Sequence, residues 1–222
     1  MHNTVEKLVQ IKDEIKILCL KKENEPEIIA VSKTNPIEKI NPLIDYGHRH
    51  FGENKVQEAI LKWKDIKINK PDINLHMIGR LQSNKVKEAV GIFDYIHSLD
   101  SYKLAEKISN QQKLLNKNLK YFIQINFDEE IQKSGIEPRM TSKFLYECQN
   151  KFSLNIIGLM CLPPINSNPI EYFKKMLKMK NELNLKKLSM GMTSDYKEAI
   201  EYQSSFLRIG TKIFGERKYL SN

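Results

Sequence analysis

One lysine, Lys33, stands directly after an apolar stretch that is rich in β-branched residues. Residues 28–31 read Ile-Ile-Ala-Val, which is typical of a buried strand, and Ser32 separates this stretch from the lysine. An amine that emerges from a buried strand is partly desolvated, which favours its uncharged form, and an uncharged lysine is a nucleophile towards carbonyl groups. The alternative is that Lys33 is an ordinary surface lysine, one of 31 in the chain.

Two loops in the last part of the sequence carry the residue types that bind phosphate groups. One reads Ser-Met-Gly-Met-Thr-Ser-Asp and includes Thr193 and Ser194, and the other reads Arg-Ile-Gly-Thr and ends with Gly210 and Thr211. Glycine lets backbone N–H groups approach an anion closely, and the hydroxyls add donors. A helix predicted to begin near Ser194 would add its positive N-terminal end. Either loop alone is more typical of an ordinary turn, but the two together favour a phosphate site.

Other polar residues lie at or inside predicted strands. Arg208, one of only five arginines, can donate to a ring nitrogen of a bound cofactor if it points inward, and the alternative is an interior salt bridge. Asn54 can donate to a cofactor oxygen and Glu53 can pair with a nearby lysine, whereas the alternative for both is the start of a helix. His76 and His97 are interpreted as core residues rather than ligands.

The elements that position these residues alternate regularly along the chain. Strands are predicted at 28–31, 48–52, 75–79, 93–98, 121–126, 155–160, 187–191 and 206–210, and a helical pattern follows each of the first seven. A further helix is predicted over about 2–24. Strict alternation predicts a parallel sheet, and eight such units predict an α/β fold, a single (β/α)8 TIM barrel domain over 1–222 with an extra N-terminal helix. An open doubly wound sheet is the alternative, although its glycine-rich dinucleotide motif is absent.

Composition excludes several other classes of protein. The net charge of +9 suggests nucleic acid, but lysines outnumber arginines 31 to five and are scattered, which argues against specific recognition. The three cysteines have neither metal-ligand spacing nor a disulfide pattern, so a reducing cytoplasm is predicted, with Cys161 a buried residue rather than a reactive thiol. No secretory signal is recognised, and no apolar run reaches the ~18 residues that span a membrane.

Several motifs together resemble the YggS/PROSC family of pyridoxal-phosphate-binding proteins, which is related in fold to the barrel domain of alanine racemase. The match runs nearly from end to end. The motifs that carry it are Ala-Val-Ser-Lys-Thr at 30–34, Phe-Gly-Glu-Asn-Lys-Val-Gln-Glu at 51–58, His-Met-Ile-Gly-Arg-Leu-Gln-Ser-Asn-Lys at 76–85, Gly-Leu-Met-Cys-Leu-Pro-Pro at 158–164, and the stretches 189–195 and 208–215.

The resemblance implies a site for pyridoxal 5′-phosphate (PLP). It implies that Lys33 holds PLP as a Schiff base, that Thr193, Ser194, Gly210 and Thr211 surround the phosphate, and that Arg208 faces the pyridine nitrogen. The chain departs from the family pattern at five positions. These are Thr193 in place of the usual Ser, Gln203 and Ser205 in place of Gly and Thr, and Asp128 and Gln132 in place of Ser.

The predicted function is PLP homeostasis, in which the chain buffers the cofactor and delivers it to apo PLP-dependent enzymes. Alanine racemases carry a second, β-rich domain with a catalytic tyrosine, and this sequence ends just after the predicted barrel closes. Racemisation needs an acid or base on each face of the ring, and only Lys33 is available. We therefore expect a monomeric cofactor carrier without catalysis. The alternatives are a small monomeric amino-acid racemase, attachment of PLP to Lys133 instead of Lys33, and weak binding to polyanions.

Overall fold

The β-branched and aromatic runs of the sequence form eight parallel strands that pair in sequence order and close into a barrel. The computed structural model describes residues 1–20, 25–127, 134–164 and 166–216. The strands are β1 (Glu27–Val31), β2 (His50–Glu53), β3 (Asn74–Met77), β4 (Tyr95–Leu99), β5 (Lys120–Gln124), β6 (Asn155–Met160), β7 (Lys187–Met192) and β8 (Phe206–Ile209). The closed order confirms the predicted barrel and excludes the open sheet.

Helices follow the strands and cover the outside of the barrel. They are α1 (Asn3–Leu18), α2 (Ile37–Asp45), α3 (Val56–Asn69), α4 (Val86–Ile92), α5 (Tyr102–Leu114), α6 (Thr141–Asn150), α7 (Pro169–Glu182), α8 (Tyr196–Glu201) and α9 (Thr211–Phe214). The extra N-terminal helix is confirmed as α1, but it ends at Leu18, before the predicted boundary at 24. The helix after β3, predicted over 82–90, begins with a 3₁₀ turn over Ser83–Lys85, and the α-helix α4 starts only at Val86.

The apolar side chains form two separate cores. The larger core lies between the helices and the outer face of the sheet, where Phe51 and Trp63 are fully buried with their rings in contact. The smaller core lies inside the barrel. It consists of Ile29, Tyr95, Phe122, Met160 and Phe206. His76 and His97 are also fully buried and contact these aromatic rings, which confirms that they are core residues.

The three cysteines are all buried and reduced. Burial raises the pKa of the Cys161 thiol to about 12, because the thiolate would be desolvated, so this residue matches its predicted structural role. Within the described ranges, His, Cys, Asp and Glu side chains form no group that could bind a metal ion. The helices in the same ranges include none that is long and apolar enough to cross a membrane.

Strand register brings distant segments to one end of the barrel. Ala30 of β1 lies beside Ile209 of β8, and Val31 lies beside Gly52 of β2. The segments that follow β1, β2 and β8 therefore leave the sheet at nearly the same level. This end of a barrel is where loops after the strands assemble a binding site.

Candidate cofactor site

A cavity of about 640 Å³ lies where the strands of the barrel end. All seven residues predicted to bind a cofactor line it. They are Lys33, Asn54, Thr193, Ser194, Arg208, Gly210 and Thr211. The volume is in the range of small-molecule sites. The fold therefore brings together residues that are up to 178 positions apart in the chain (211 − 33), while their role as ligands of a cofactor remains a prediction.

Backbone and side-chain contacts fix the segment around Lys33. The Ser32 N–H donates to the carbonyl oxygen of Gly52 over 3.0 Å, and its Oγ donates to Glu53 Oε1 over 2.7 Å. On the other side, Thr34 adopts a left-handed conformation with φ of 61°, and its N–H donates to Glu58 Oε1 over 2.5 Å. A threonine is uncommon in this conformation, so the bond to Glu58 helps to hold it. The half-buried Lys33 thus lies between two anchored residues.

A buried ion pair lies behind this segment. Glu53 is fully buried, and its Oε1 accepts from Lys62 Nζ over 2.9 Å and from Trp63 Nε1 over 3.0 Å. Lys62 also donates to the carbonyl oxygen of Ser32 over 2.9 Å and to Glu58 Oε1 over 3.0 Å. The predicted pairing of Glu53 with a nearby lysine is confirmed.

The alternative interpretation of Glu53 and Asn54 as a helix start is wrong. Glu53 is the last residue of β2, and α3 begins only at Val56. Lys55 precedes that helix and makes no capping hydrogen bond with its side chain. Glu53 therefore serves the ion pair, while Asn54 is left to face the cavity.

On the opposite wall, Arg208 points into the barrel and is 4% exposed. Its Nη1 donates to Ser189 Oγ over 2.6 Å, and its Nη2 donates to the carbonyl oxygen of Cys161 over 2.8 Å. Burial lowers the pKa of Arg208, whereas the neighbouring Cys161 and Asp195 oppose this effect. The described parts of the chain contain no ion pair of Arg208, so the interior salt bridge considered as an alternative is not found there.

A glycine near the end of β7 and an aspartate in the loop after it shape this part of the wall. Gly191 has a φ of 90°, and a Cβ at this position would meet the Ala199 side chain at 2.6 Å. Asp195 Oδ1 accepts from the Met192 N–H over 2.6 Å, which closes the turn that presents Thr193 and Ser194. The predicted helix contribution near Ser194 needs correction, because α8 begins only at Tyr196 and has six residues.

Several polar groups of the cavity wall have no hydrogen-bond partner among the described residues. In the described ranges, the hydroxyls and the backbone N–H groups of Thr193, Ser194 and Thr211 make no hydrogen bond. Asn54 Oδ1 is buried and also lacks a partner there. Hydroxyls and N–H groups that converge on one cavity are typical of a phosphate site. Together with a lysine and a buried guanidinium, they form a donor set that fits PLP.

Some lining residues were not singled out from the sequence. They are Val31, Asn35, Ile78, Gly79, Leu162, Met192, Phe214 and Gly215. Only their position in the sequence could have identified them, because each follows a predicted strand or lies in one of the motifs quoted above. Ser189, which holds Arg208, gave no signal because its partner is 19 residues away. Lys133, Asp128 and Gln132 lie outside the described residues.

The barrel and the residues where its strands end define a class of (β/α)8 proteins that resemble the first domain of alanine racemase. The chain belongs to the family described as alanine racemase, N-terminal domain, whose model matches residues 7–218. The predicted resemblance is thereby confirmed over nearly the whole sequence.

Individual relatives show more specifically which proteins the chain resembles. A protein from Aquifex aeolicus (strain VF5) named pyridoxal phosphate homeostasis protein is 36% identical over 229 residues, covering 98% of this chain and 100% of the relative. The PipY structures of Synechococcus elongatus PCC7942 are 32% identical and cover 96% of this chain and 100% of that one. Their TM-scores are 0.87 without PLP and 0.83 with PLP bound.

An alanine racemase of Clostridium difficile 630 shares the fold alone. It is 14% identical with a TM-score of 0.74, and the match covers 98% of this chain and 57% of that one.

Proposed function

We propose that this chain binds PLP through a Schiff base on Lys33 and serves PLP homeostasis by holding the cofactor and delivering it to apoenzymes. The observation that carries the proposal is that one cavity holds Lys33, Arg208 and phosphate-type donors that have no partner in the part of the chain that the structure describes. The PipY structure with PLP bound and the name of the Aquifex relative support the same function.

Each group of the cavity has a defined task in this proposal. Thr193, Ser194 and Thr211 donate hydroxyl and N–H hydrogen bonds to the phosphate, and Gly210 leaves room for it. Lys33 would hold PLP covalently, with its amine bonded to the aldehyde carbon and the aldehyde oxygen released as water. Bound PLP supplies an electron-withdrawing ring. The Arg208 guanidinium donates to the ring nitrogen and, as a very weak acid, keeps it unprotonated.

The cavity wall supports a carrier better than a catalyst. Lys33 and Arg208 are the only ionisable side chains among the described residues that line it. An arginine does not exchange protons near neutral pH. Lys33 would therefore have no partner acid on the other face of the ring, where a racemase needs one.

Covalent trapping tests the attachment site. The purified protein with PLP is expected to absorb near the visible edge, and borohydride reduction is expected to fix the cofactor to a peptide that contains Lys33. The Lys33→Ala variant should lose this adduct, whereas the control Lys55→Ala, which removes an exposed lysine, should retain it. Complete transfer of the label to Lys133 in the unchanged protein would show that the proposed attachment site is wrong.

Proton exchange tests the absence of catalysis. The protein loaded with PLP is incubated with alanine or serine in heavy water, and exchange at the α-carbon is followed by NMR. We expect a rate close to that of free PLP at the same concentration. A rate well above it, lost in Lys33→Ala, would favour the racemase instead.

A further inference from the structure

A row of hydrogen-bonded side chains runs from Arg208 through the interior of the barrel. Arg208 Nη1 contacts Ser189 Oγ over 2.6 Å, and Ser189 Oγ contacts His97 Nδ1 over 2.9 Å. His97 Nε2 contacts His76 Nδ1 over 2.9 Å, and His76 Nε2 contacts His50 Nδ1 over 2.9 Å. The row begins with Arg208 on β8 and continues through one residue on each of four other strands, β7, β4, β3 and β2.

The two ends of the row face different environments. Arg208 lines the candidate cofactor cavity, whereas His50 is half-buried and lines a separate cavity of about 460 Å³ beside the start of β2. Between them, Ser189, His97 and His76 are fully buried. Burial lowers the pKa of both His76 and His97 well below the ordinary value, so these imidazoles are uncharged near neutral pH. The only charge in the row is that of Arg208.

The chemistry of the guanidinium gives the row a direction. Arginine can only donate, so Ser189 Oγ accepts from it, and the hydroxyl proton is free to go to His97 Nδ1. His97 then carries its proton on Nε2 and donates to His76, which in turn donates from Nε2 to His50 Nδ1. In the opposite direction Ser189 would accept twice, and its hydroxyl proton would have no acceptor in the described part of the chain. An unpaired donor at a buried site is unfavourable.

We propose that Ser189, His97, His76 and His50 form one directed relay of hydrogen bonds that positions Arg208 and links it to the protonation of His50 at the far side of the barrel interior. Ser189 and His97 are positioning residues, since they act on the cavity through Arg208. The consequence for the cofactor rests on the proposed function, but the relay itself is a property of the apoprotein.

Protonation of His50 reverses this relay. A doubly protonated His50 cannot accept from His76, so His76 must accept at Nε2 and carry its proton on Nδ1, and the same change follows at His97. Each proton moves one place along the row: the Nε2 proton of His76 goes to His50, that of His97 goes to His76, and the Ser189 hydroxyl proton goes to His97 Nδ1. The one proton taken up from solvent replaces the hydroxyl proton of Ser189, so His76 and His97 each keep a single N–H. Ser189 Oγ then accepts hydrogen bonds from both Arg208 and His97. The hydroxyl that contacts Arg208 therefore changes its orientation.

The surroundings of His50 decide where this reversal occurs. Burial lowers the pKa of His50, Glu27 and Asp94 raise it, and Lys120 lowers it. The neighbouring ionisable groups in contact are His76 and the Tyr95 ring, while the backbone oxygen of His50 contacts His48 Nε2 over 2.8 Å. We therefore expect the relay to reverse at a pH below the ordinary pKa of histidine.

Nitrogen NMR of the apoprotein labelled with ¹⁵N-histidine tests the relay without any cofactor. At pH 8, we expect His50, His76 and His97 all to be neutral with the proton on Nε2. On acidification, His50 should become charged, while His76 and His97 stay neutral and move their proton to Nδ1 with the same midpoint. A proton on Nδ1 of His76 and His97 at pH 8 would overturn the proposal. Tautomers that do not change when His50 becomes charged would also overturn it.

Three serine variants test the link to Arg208. Ser189→Ala should change the His97 tautomer and weaken PLP binding by about five- to tenfold, as expected for the net contribution of one hydrogen bond, because Arg208 keeps its charge. Ser189→Thr keeps the hydroxyl and should restore both. Ser98→Ala is the matched control, because this neighbouring serine is equally buried but its Oγ has no partner in the described ranges.

The two proposals fail in distinguishable ways. If the NMR results are as expected but borohydride fixes no PLP to Lys33, the relay holds and the proposed function fails. If PLP is fixed to Lys33 but Ser189→Ala leaves the His97 tautomer unchanged, the relay fails and the proposed function holds.

Discussion

The two walls of the candidate cofactor cavity hold buried charge in opposite ways. On the β1 and β2 side, the fully buried Glu53 pairs with Lys62 at 2.9 Å. Ser32, Glu58 and Trp63 make four further hydrogen bonds to this pair, while Glu53 Oε2 has no partner in the described ranges. On the β8 side, the guanidinium of Arg208 contacts only the neutral oxygens of Ser189 and Cys161 within the described ranges. Among the described residues, the first wall thus pairs its buried charge with an opposite one, whereas the second retains a positive charge with neutral partners.

Because of this difference, the first wall supports the backbone around Lys33, whereas the second wall recognises the ligand. In a buried ion pair, removal of one partner leaves the other charge uncompensated, which destabilises the structure, here the backbone that presents Lys33. A buried cation with neutral neighbours lowers the free energy of any electron-rich atom that approaches it. We therefore expect changes in the first wall to appear as lost stability and changes in the second wall as lost affinity.

The largest expected effect is on the first wall. Lys62→Met leaves the Glu53 carboxylate buried without its counter-ion, which should lower the free energy of unfolding by about 3–5 kcal/mol. Urea denaturation followed by circular dichroism measures it. Lys64→Met on the exposed side of the same helix is the control, and the double variant with Glu53→Gln should recover most of the loss. A cost of Lys62→Met close to that of the control would contradict the comparison.

The matching change on the second wall should act on binding. Arg208→Met replaces a buried cation with an apolar side chain of similar length, so stability should change much less than in Lys62→Met. PLP affinity should fall by about 10- to 100-fold, because a charged hydrogen bond contributes about 1.5–3 kcal/mol. Fluorescence titration and urea denaturation measure the two effects. Equal loss of stability in both variants would remove the distinction between the walls.

The phosphate loop offers a smaller and more selective test. Thr193→Val keeps the shape of the side chain and removes its hydroxyl, so PLP affinity should fall by about 1 kcal/mol, or roughly fivefold. Binding of pyridoxal, which lacks the phosphate, should stay unchanged. The pair of titrations assigns the hydroxyl to phosphate recognition, and equal losses for both ligands would assign it elsewhere.

An exposed charge cluster outside both walls should give the smallest effect. Hydrogen bonds from Tyr196 and then Lys212 lower the pKa of Glu14 from 4.5 to about 2. Because the folded-state pKa is the lower one, this stabilisation is complete above about pH 4.5 and is lost as the pH falls towards 2. Glu14 is 36% exposed, so solvent screening limits the contribution to under about 1 kcal/mol. Glu14→Gln should remove this part of the pH dependence in acid denaturation.

The sequence predicted the barrel and the residues around its cavity because both depend on periodic patterns. Each strand is a short apolar run, and each predicted ligand directly follows or ends such a run, so the order of strands was enough to bring Lys33 and Thr211 together. The sequence predicted that Glu53 pairs with a lysine but not which one, because the partner Lys62 lies nine residues further on, in α3. Boundaries were less accurate where 3₁₀ turns begin the helices, as at Ser83–Lys85.

Contacts across the barrel interior were not predictable from local patterns. His97 and Ser189 are separated by 92 residues, and nothing in either strand indicates that they touch. Left-handed backbone at ordinary residues was equally hidden. Gln203 has a φ of 60°, a conformation that favours glycine, at a position where the resembling family commonly has glycine.

Gly79 gives the pocket a mechanical property that its polar residues do not. A Cβ at this position would meet the backbone oxygen of Asn54 at 2.5 Å, so the ends of β2 and β3 approach more closely than any side chain allows. One added methyl group would force the Asn54 backbone to shift, and Asn54 itself lines the cavity. The missing side chain at position 79 is therefore what allows Asn54 to occupy its place in the wall.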